Sequence, residues 1–430
     1  MIPGDIPQWI ILIWLFTFGA VIGSFLNVCI YRLPQQESLW AQLTGLTNPP
    51  SSCPFCKKRI LGRDNIPILG WLILRGRCRN CRHSIPARYA LIELLNGLLW
   101  VVLYVAIVPS GFSARVSDSC LYSPLSPLAN PALSHHQLVF LVNAQYFFYL
   151  ALAEALLVAT FIDFDLQIIP DGSTIPALIA GLIASMAIGN LHLWPVWFQS
   201  PETLHTLRFV SPSWMHWMLQ GPERPAWIAA HPHWHGLITS LAGMAVGSGT
   251  ILALRIVGKW AYREEVMGQG DAFLMALIGC FLGWQPTLLV FFVAPFCGLI
   301  ATILSMQFLT RREIPYGPYL SLGAMLVLLF WRPYFSQFSN FFSLGLLLVF
   351  QAAIMLFLLA VTLVAVRKVK RWIGFTDHQM IEEWTPGDQL AFYANKNGDC
   401  SCCGLKPDPW PGTSTGRGCH HAHQWRHGNR

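Results

Sequence analysis

Apolar runs, most of them close to the length that crosses a bilayer, alternate with short links carrying nearly all of the chain's charge. This alternation limits the fold more than any motif does. A helix needs about 20 consecutive apolar residues to cross the hydrocarbon core. Inside that core every backbone N–H and C=O must be satisfied within the structure, which leaves helices or closed barrels. The runs fall at roughly 8–30, 89–108, 137–160, 174–190, 236–258, 272–284, 287–308, 318–331 and 341–366. The runs at 272–284 and 318–331 are short for a crossing. Charged residues make up 11% of the chain and apolar residues 54%, whereas a soluble domain carries about 25% charge. The expectation is an all-α polytopic membrane protein with about 8–9 transmembrane helices. The first run is not expected to be a cleaved signal peptide. It lacks a basic segment and a small-residue cleavage site, and it continues into Gly23-Ser24-Phe25-Leu26-Asn27.

The links set an orientation. With the N-terminus outside, the inside segments are 31–88, 161–173, 259–271, 309–317 and 367–430. Of 28 Lys and Arg, only Arg115, Arg208, Arg224 and Arg332 then fall outside. That asymmetry is the one the positive-inside rule demands. It also explains the net charge of +7 without nucleic acid, which is not expected as a partner. The lipid bilayer is.

The same orientation places two aspartates on one face. Asp163 lies in Phe161-Ile162-Asp163-Phe164-Asp165-Leu166-Gln167-Ile168-Ile169-Pro170-Asp171, at the inner end of the third run. Asp271 lies in Gly268-Gln269-Gly270-Asp271, at the inner start of the sixth. A carboxylate at a membrane boundary loses hydration, so it is either well satisfied or functional. Two close carboxylates do not easily both ionise, and a pair that shares a proton can activate water against a carbonyl. Gly268 and Gly270 have no side chains, so a substrate backbone can approach Asp271, and they can permit a strained helix start. Asp165 and Asp171 compete with Asp163. Asp171 follows Pro170 and precedes a run, which suits a turn or N-cap.

A second constellation is Cys53-Pro54-Phe55-Cys56 and Cys78-Arg79-Asn80-Cys81, with 21 residues between the pairs. Each C-x-x-C holds two thiolates near one metal, and four complete a closed tetrahedral zinc site of the structural kind. The usual gap is about 15–20 residues. An inside location disfavours disulfides. The surrounding Lys57, Lys58, Arg59, Arg75, Arg77, Arg79 and Arg82 read as lipid-headgroup contacts and orientation signals.

Taken together, these blocks resemble the type IV prepilin peptidase family. Gly23-Ser24-Phe25-Leu26-Asn27-Val28 with Tyr31-Arg32-Leu33-Pro34 is similar to its opening. The paired knuckles are similar to its tetracysteine domain. Asn65-Ile66-Pro67-Ile68-Leu69-Gly70-Trp71 and Arg88-Tyr89 with Glu93-Leu94-Leu95-Asn96-Gly97 match two further blocks, Ala90 replacing a usual Pro. The Asp163 and Asp271 blocks follow, and then Ile314-Pro315-Tyr316-Gly317-Pro318, with Tyr for a usual Phe.

The resemblance implies a GxGD-type aspartyl endopeptidase in the bacterial inner membrane, its active site facing the cytoplasm. It would cleave the basic leader of a prepilin or pseudopilin at Asp163 and Asp271. It would then methylate the new N-terminal amine from S-adenosylmethionine, with structural Zn2+ on Cys53, Cys56, Cys78 and Cys81. No Gly-rich loop after a strand is visible, so no residue is assigned to the methyl donor. The alternatives are a peptidase without methyl transfer and a polytopic transporter with a zinc knuckle. The expected organisation is a first helix (1–30), a zinc unit (31–88), a peptidase core (89–331), an extra helix (332–372) and a Cys/His-rich tail (373–430).

Three segments lie outside the family pattern. Residues 109–136 read as an irregular Ser/Pro-rich loop. Residues 191–235 read as a solvated, Trp-rich loop at the interface, His231, His233 and His235 being the competing metal ligands. The tail carries Cys400, Cys402, Cys403, Cys419, His420, His421, His423 and His427. Its spacing fits no standard finger and its Gly and Pro content reads as disorder. It is expected to be dispensable for cleavage.

Overall fold

The computed structural model describes residues 7–36, 38–46, 51–53, 55–109, 118–123, 125–130, 133–214, 216, 225–262, 268–306, 315–332, 335–344 and 347–372. The tail therefore lies outside the described residues. Each apolar run forms one helix: α1 (Gln8–Arg32), α2 (Arg88–Ile107), α3 (His135–Leu166), α4 (Asp171–Ile188), α5 (Pro232–Tyr262), α6 (Gln269–Leu282), α7 (Trp284–Met306), α8 (Gly317–Leu329) and α9 (Leu347–Trp372). Six of them, α1 to α5 and α7, are long and apolar enough to cross a membrane. The expected all-α class is what forms. Among the described residues the only β structure is two isolated bridges, Ser52–Arg59 and Arg77–Ser84.

The short sixth helix has a packing explanation. At about 1.5 Å per residue, the 14 residues of α6 fall short of a hydrocarbon core about 30 Å thick. The helix is enclosed by α3, α4, α5, α7 and α8, and its residues from Leu274 to Leu282 are all buried. A helix that meets protein rather than lipid need not match the bilayer. Its neighbours approach closely because small residues line the crossings. Gly243 of α5 and Gly279 of α6 lie so near that a Cβ on either would fall on the other's carbonyl oxygen. α1 and α2 meet similarly, with Gly19 and Gly97 stacked under Trp100 and Phe16.

The bundle has two chemically different ends. At one end lie the C-termini of α1 and α3, the N-termini of α2, α4, α6 and α8, and the Cys-bearing segment that joins α1 to α2. Asn27 of α1 donates to Tyr89 O of α2 at 3.0 Å. The short helix Leu39–Gly45 is clamped there, because Gly172 N–H at the head of α4 donates to Gln42 Oε1 at 2.6 Å, and Arg32 donates to its terminal carbonyls, Gly45 O and Leu46 O.

The opposite end is closed by Leu191–Phe198. Leu191, Leu193, Trp194 and Phe198 are buried, which corrects the solvated reading of this stretch. Its backbone carbonyls are satisfied by side chains from distant helices. Tyr149 donates to Leu191 O, Gln285 to Pro195 O and Trp284 to Val196 O. The imidazole of His235 accepts from Val196 N–H at 3.0 Å. His233 pairs with Met186 O, so His233 and His235 serve as hydrogen-bonding groups. Residues 118–123 and 125–130 are also packed rather than loose, with Leu121 and Leu128 buried.

Candidate active site and metal centre

The helix α3 begins at a capping box formed by Ser134 and Gln137 and continues through Leu166. Asp163 and Asp165 therefore stand on its last helical turn rather than in a loop. Two residues along a helix are about 200° apart around the axis, so the two acids face different neighbours. Asp163 is buried at 6% exposure, and its Oδ2 accepts from Gly317 N–H at 3.1 Å. Asp165 faces α2 and forms an ion pair with Arg88 at 2.5 Å. The Arg88 guanidinium also donates to Phe161 O and lies 5.2 Å from the Phe161 ring centroid. Asp171 is the exposed first residue of α4, whose N-cap is Pro170. There it complements the helix dipole.

Asp271 occupies the third position of α6, and Gly268 is the N-cap. The Gly268 N–H donates back to the Asp271 carboxylate, as the third residue does in a capping box. The backbone at Gly268 is ordinary and extended, at φ −69° and ψ 151°, so this glycine does not strain the helix start. Gly268 is exposed, with only Asp271 Oδ2 near the place a Cβ would occupy. Gly270 instead makes room for Ile169, whose Cβ lies 3.2 Å from where its own Cβ would be.

Ile169 joins the two acidic segments. It touches Gly270, next to Asp271, and its Cδ1 lies 3.4 Å from the Cβ position of Gly317, the residue bonded to Asp163. Tyr316 is within electrostatic range of Asp271. The turn Pro315-Tyr316-Gly317-Pro318 thus bonds Asp163 through Gly317 and brings Tyr316 into the field of Asp271. The sequence marked this turn as a family block but gave it no role. Gly317 is the residue that reading missed. A Cβ there would sit 2.5 Å from Asp163 Oδ2, so glycine is required by a close approach.

The four cysteines converge at the same end. Cys53 N–H donates to Lys58 O at 3.0 Å and Lys57 N–H to Cys53 O at 2.8 Å. The second knuckle repeats this, with Cys78 N–H to His83 O at 2.8 Å and Arg82 N–H to Cys78 O at 2.9 Å. Lys57 and Arg82 both take φ 57°, which turns each loop back on its cysteines. All four Sγ atoms lie within 4.8 Å of one another. Thiolates at about 2.3 Å from a tetrahedral zinc stand about 3.8 Å apart, and Cys53 Sγ to Cys81 Sγ is 3.8 Å. The donor set fits zinc. Arg79, between the two cysteines of its knuckle, grips Asp64 through two hydrogen bonds. These bonds hold the Asp64 carboxyl below its ordinary range.

The segment between the knuckles is pinned to the bundle. Pro67, Ile68 and Leu69 form a γ-turn, with Leu69 N–H donating to Pro67 O at 2.5 Å and Ile68 at φ 62°, ψ −54°. This turn is rare and strained. Ile68 N–H donates to Glu93 Oε2 of α2 at 2.6 Å, and Ser24 of α1 lies beside Glu93. A charge-assisted bond of this kind offsets the strain.

Among the described residues there is no strand followed by a Gly-rich loop. The cleft between α1 and α2, at Asn27, Tyr31 and Arg88, has room for only about 10 Å³. Pockets that enclose drug-sized ligands run from about 300 to 1,000 Å³, so the cleft as it stands does not fit a nucleoside-bearing donor.

Fold and site together define a helical, multi-spanning membrane protein with a tetracysteine unit and two aspartate motifs joined through Ile169 at the same end. The profile of the bacterial peptidase A24 N-terminal domain matches residues 17–107, and that of the type IV leader peptidase family matches residues 226–303. A prepilin leader peptidase/N-methyltransferase from Dickeya chrysanthemi is 30% identical over 342 residues, covering 73% of this chain and 91% of the relative. The chain belongs to the type IV leader peptidase family. A protein of the same name from Aeromonas hydrophila is 29% identical, over 75% of this chain and 91% of the relative. A type 4 prepilin-like proteins leader peptide-processing enzyme from Escherichia coli O78:H11 is 29% identical, over 71% and 89%. No solved structure is significantly similar to the chain.

Proposed function

We propose that this chain cleaves the leader of prepilins and pseudopilins at the inner, cytoplasmic face of the bacterial membrane, with Asp163 and Asp271 as the catalytic pair, and then methylates the new N-terminal amine. The observation that carries the reading is Ile169, which packs beside Gly270 of the Asp271 motif and beside Gly317, the residue bonded to Asp163. Asp165 is occupied by Arg88 and Asp171 sits exposed at a helix start, which supports Asp163 as the partner of Asp271.

In the proposed reaction one carboxyl carries a proton and the other is ionised. The ionised carboxylate takes a proton from water as its oxygen attacks the scissile carbonyl carbon. The protonated carboxyl donates to the carbonyl oxygen, and collapse of the tetrahedral intermediate breaks the C–N bond and protonates the leaving amine. Gly317 N–H fixes Asp163, and Gly268 N–H holds Asp271, so both acids are oriented before substrate arrives. Exposed Gly268 leaves the approach to Asp271 open. S-adenosylmethionine would supply the methyl group to the freed amine. No residue is given a part in that transfer.

Zinc on Cys53, Cys56, Cys78 and Cys81 would hold residues 31–88 as a structural unit beside the peptidase core of residues 89–331. The extra helix and the tail would be dispensable for cleavage. The cytoplasmic placement follows from the cations clustered in the segments at the aspartate end.

The test is co-expression with a prepilin and mass spectrometry of the mature N-terminus. A cleaved, N-methylated product is expected. A cleaved but unmethylated product would select the peptidase-only alternative. An uncleaved prepilin would overturn the proposal.

A further inference from the structure

The tetracysteine unit presents an apolar face that no described residue covers. The short helix Leu69–Ile73 turns Trp71 inward, where its indole N–H donates to Ile85 O at 2.9 Å. Leu69, Leu72 and Ile73, spaced i, i+3 and i+4, point outward together and are 55%, 55% and 66% exposed. Ile66, just before the helix, is also exposed. Such a triad on a small polar unit would be a liability if it faced water.

The γ-turn fixes the depth of this face. Ile68 is bonded to Glu93, more than one turn inside α2, and Ser24 of α1 lies beside Glu93. At that level both helices still present apolar side chains outward. Leu91, Leu94 and Leu95 of α2 and Val21 and Phe25 of α1 are all exposed, as lipid-facing residues are in a spanning helix. The turn therefore sits flush with the edge of the hydrocarbon, and the residues that follow it cannot stand away from the membrane.

Charge points to the same surface. Exposed Lys57, Lys58, Arg59, Arg63, Arg75, Arg77 and Arg82 surround the helix. Asp64, the one acid between residues 51 and 87, is held by Arg79. An apolar helical face flanked by cations is the pattern of a segment lying in an anionic lipid interface. The same cations would repel a basic prepilin leader, which argues against this face as the substrate's dock.

We propose that the Ile66–Ile73 segment is a membrane-docking element. Leu69, Leu72 and Ile73 enter the acyl boundary of the inner leaflet, and the surrounding Lys and Arg bind anionic phospholipid headgroups. The zinc unit is then held on the bilayer surface, beside the aspartate end of the bundle.

The test uses the unmodified full chain in vesicles of phosphatidylethanolamine and phosphatidylglycerol, whose acyl chains carry a photoactivatable diazirine. Illumination followed by peptide mass spectrometry is expected to find lipid adducts on residues 66–75 at no less than half the level found on Trp9–Phe18 of α1. In vesicles of phosphatidylcholine alone, adducts on 66–75 are expected to fall severalfold while those on α1 stay constant. Labelling of α1 with none on 66–75 would overturn the docking. Equal labelling of 66–75 in the two lipids would overturn the preference for anionic headgroups.

Discussion

Replacing Gly317 with Ala tests how the site is oriented without touching either acid. The added Cβ would lie 2.5 Å from Asp163 Oδ2, 3.2 Å from its Cγ and 3.4 Å from Ile169 Cδ1. Ordinary contact begins at 3.4 Å, so the carboxylate must retreat by about 0.9 Å, and the 3.1 Å bond from Gly317 N–H goes with it. A misplacement of about 1 Å at a reacting group can cost about 100-fold in rate, which is about 2.7 kcal/mol of barrier. Losing a hydrogen bond to a charged acceptor, worth about 1.5–3 kcal/mol, gives the same order. The expected result is a fall in kcat of about two orders of magnitude, read by gel shift of a prepilin cleaved in proteoliposomes. Gly249→Ala is the control, because no atom lies within 4 Å of the Cβ it adds. A Gly317→Ala enzyme within threefold of the wild-type rate would refute the reasoning.

Asp165→Asn removes the ion pair with Arg88 and should lower stability by about 1 kcal/mol, leaving cleavage within about fivefold of wild type. Thermal unfolding and the cleavage assay measure the two effects separately. The purified protein should carry one zinc per chain by plasma mass spectrometry, and Cys53→Ser should lose that zinc and open residues 51–87 to protease. Gly279→Val places a branched side chain on the α5 backbone. Overpacking of this kind costs about 1–3 kcal/mol or more, which a lowered thermal midpoint would show.

The span pattern was legible in the sequence because the bilayer imposes a length and a polarity that local composition records. The tetracysteine site was legible because two C-x-x-C pairs carry their own geometry. What the sequence hid depends on distant partners. The helical state of Asp163 and Asp165 needs α3 to run on to Leu166, past the apolar run that announced it. The burial of Leu191–Phe198 rests on Tyr149, Trp284 and Gln285 reaching its carbonyls, and no local pattern foretells those bonds. The different partners of Asp163 and Asp165, Gly317 and Arg88, belong to other segments of the chain. Gly268 was expected to relax a strained helix start and instead caps an ordinary one.

The claim that Asp163 and Asp271 together perform the cleavage is tested most directly by Asp163→Asn and Asp271→Asn, each purified, reconstituted and given a prepilin, with the mature product measured by mass spectrometry. Each substitution keeps the side chain's size, and neither should disturb insertion or zinc content. Both variants are expected to yield no mature product while Asp165→Asn still processes. Full processing by either Asp163→Asn or Asp271→Asn would contradict the account.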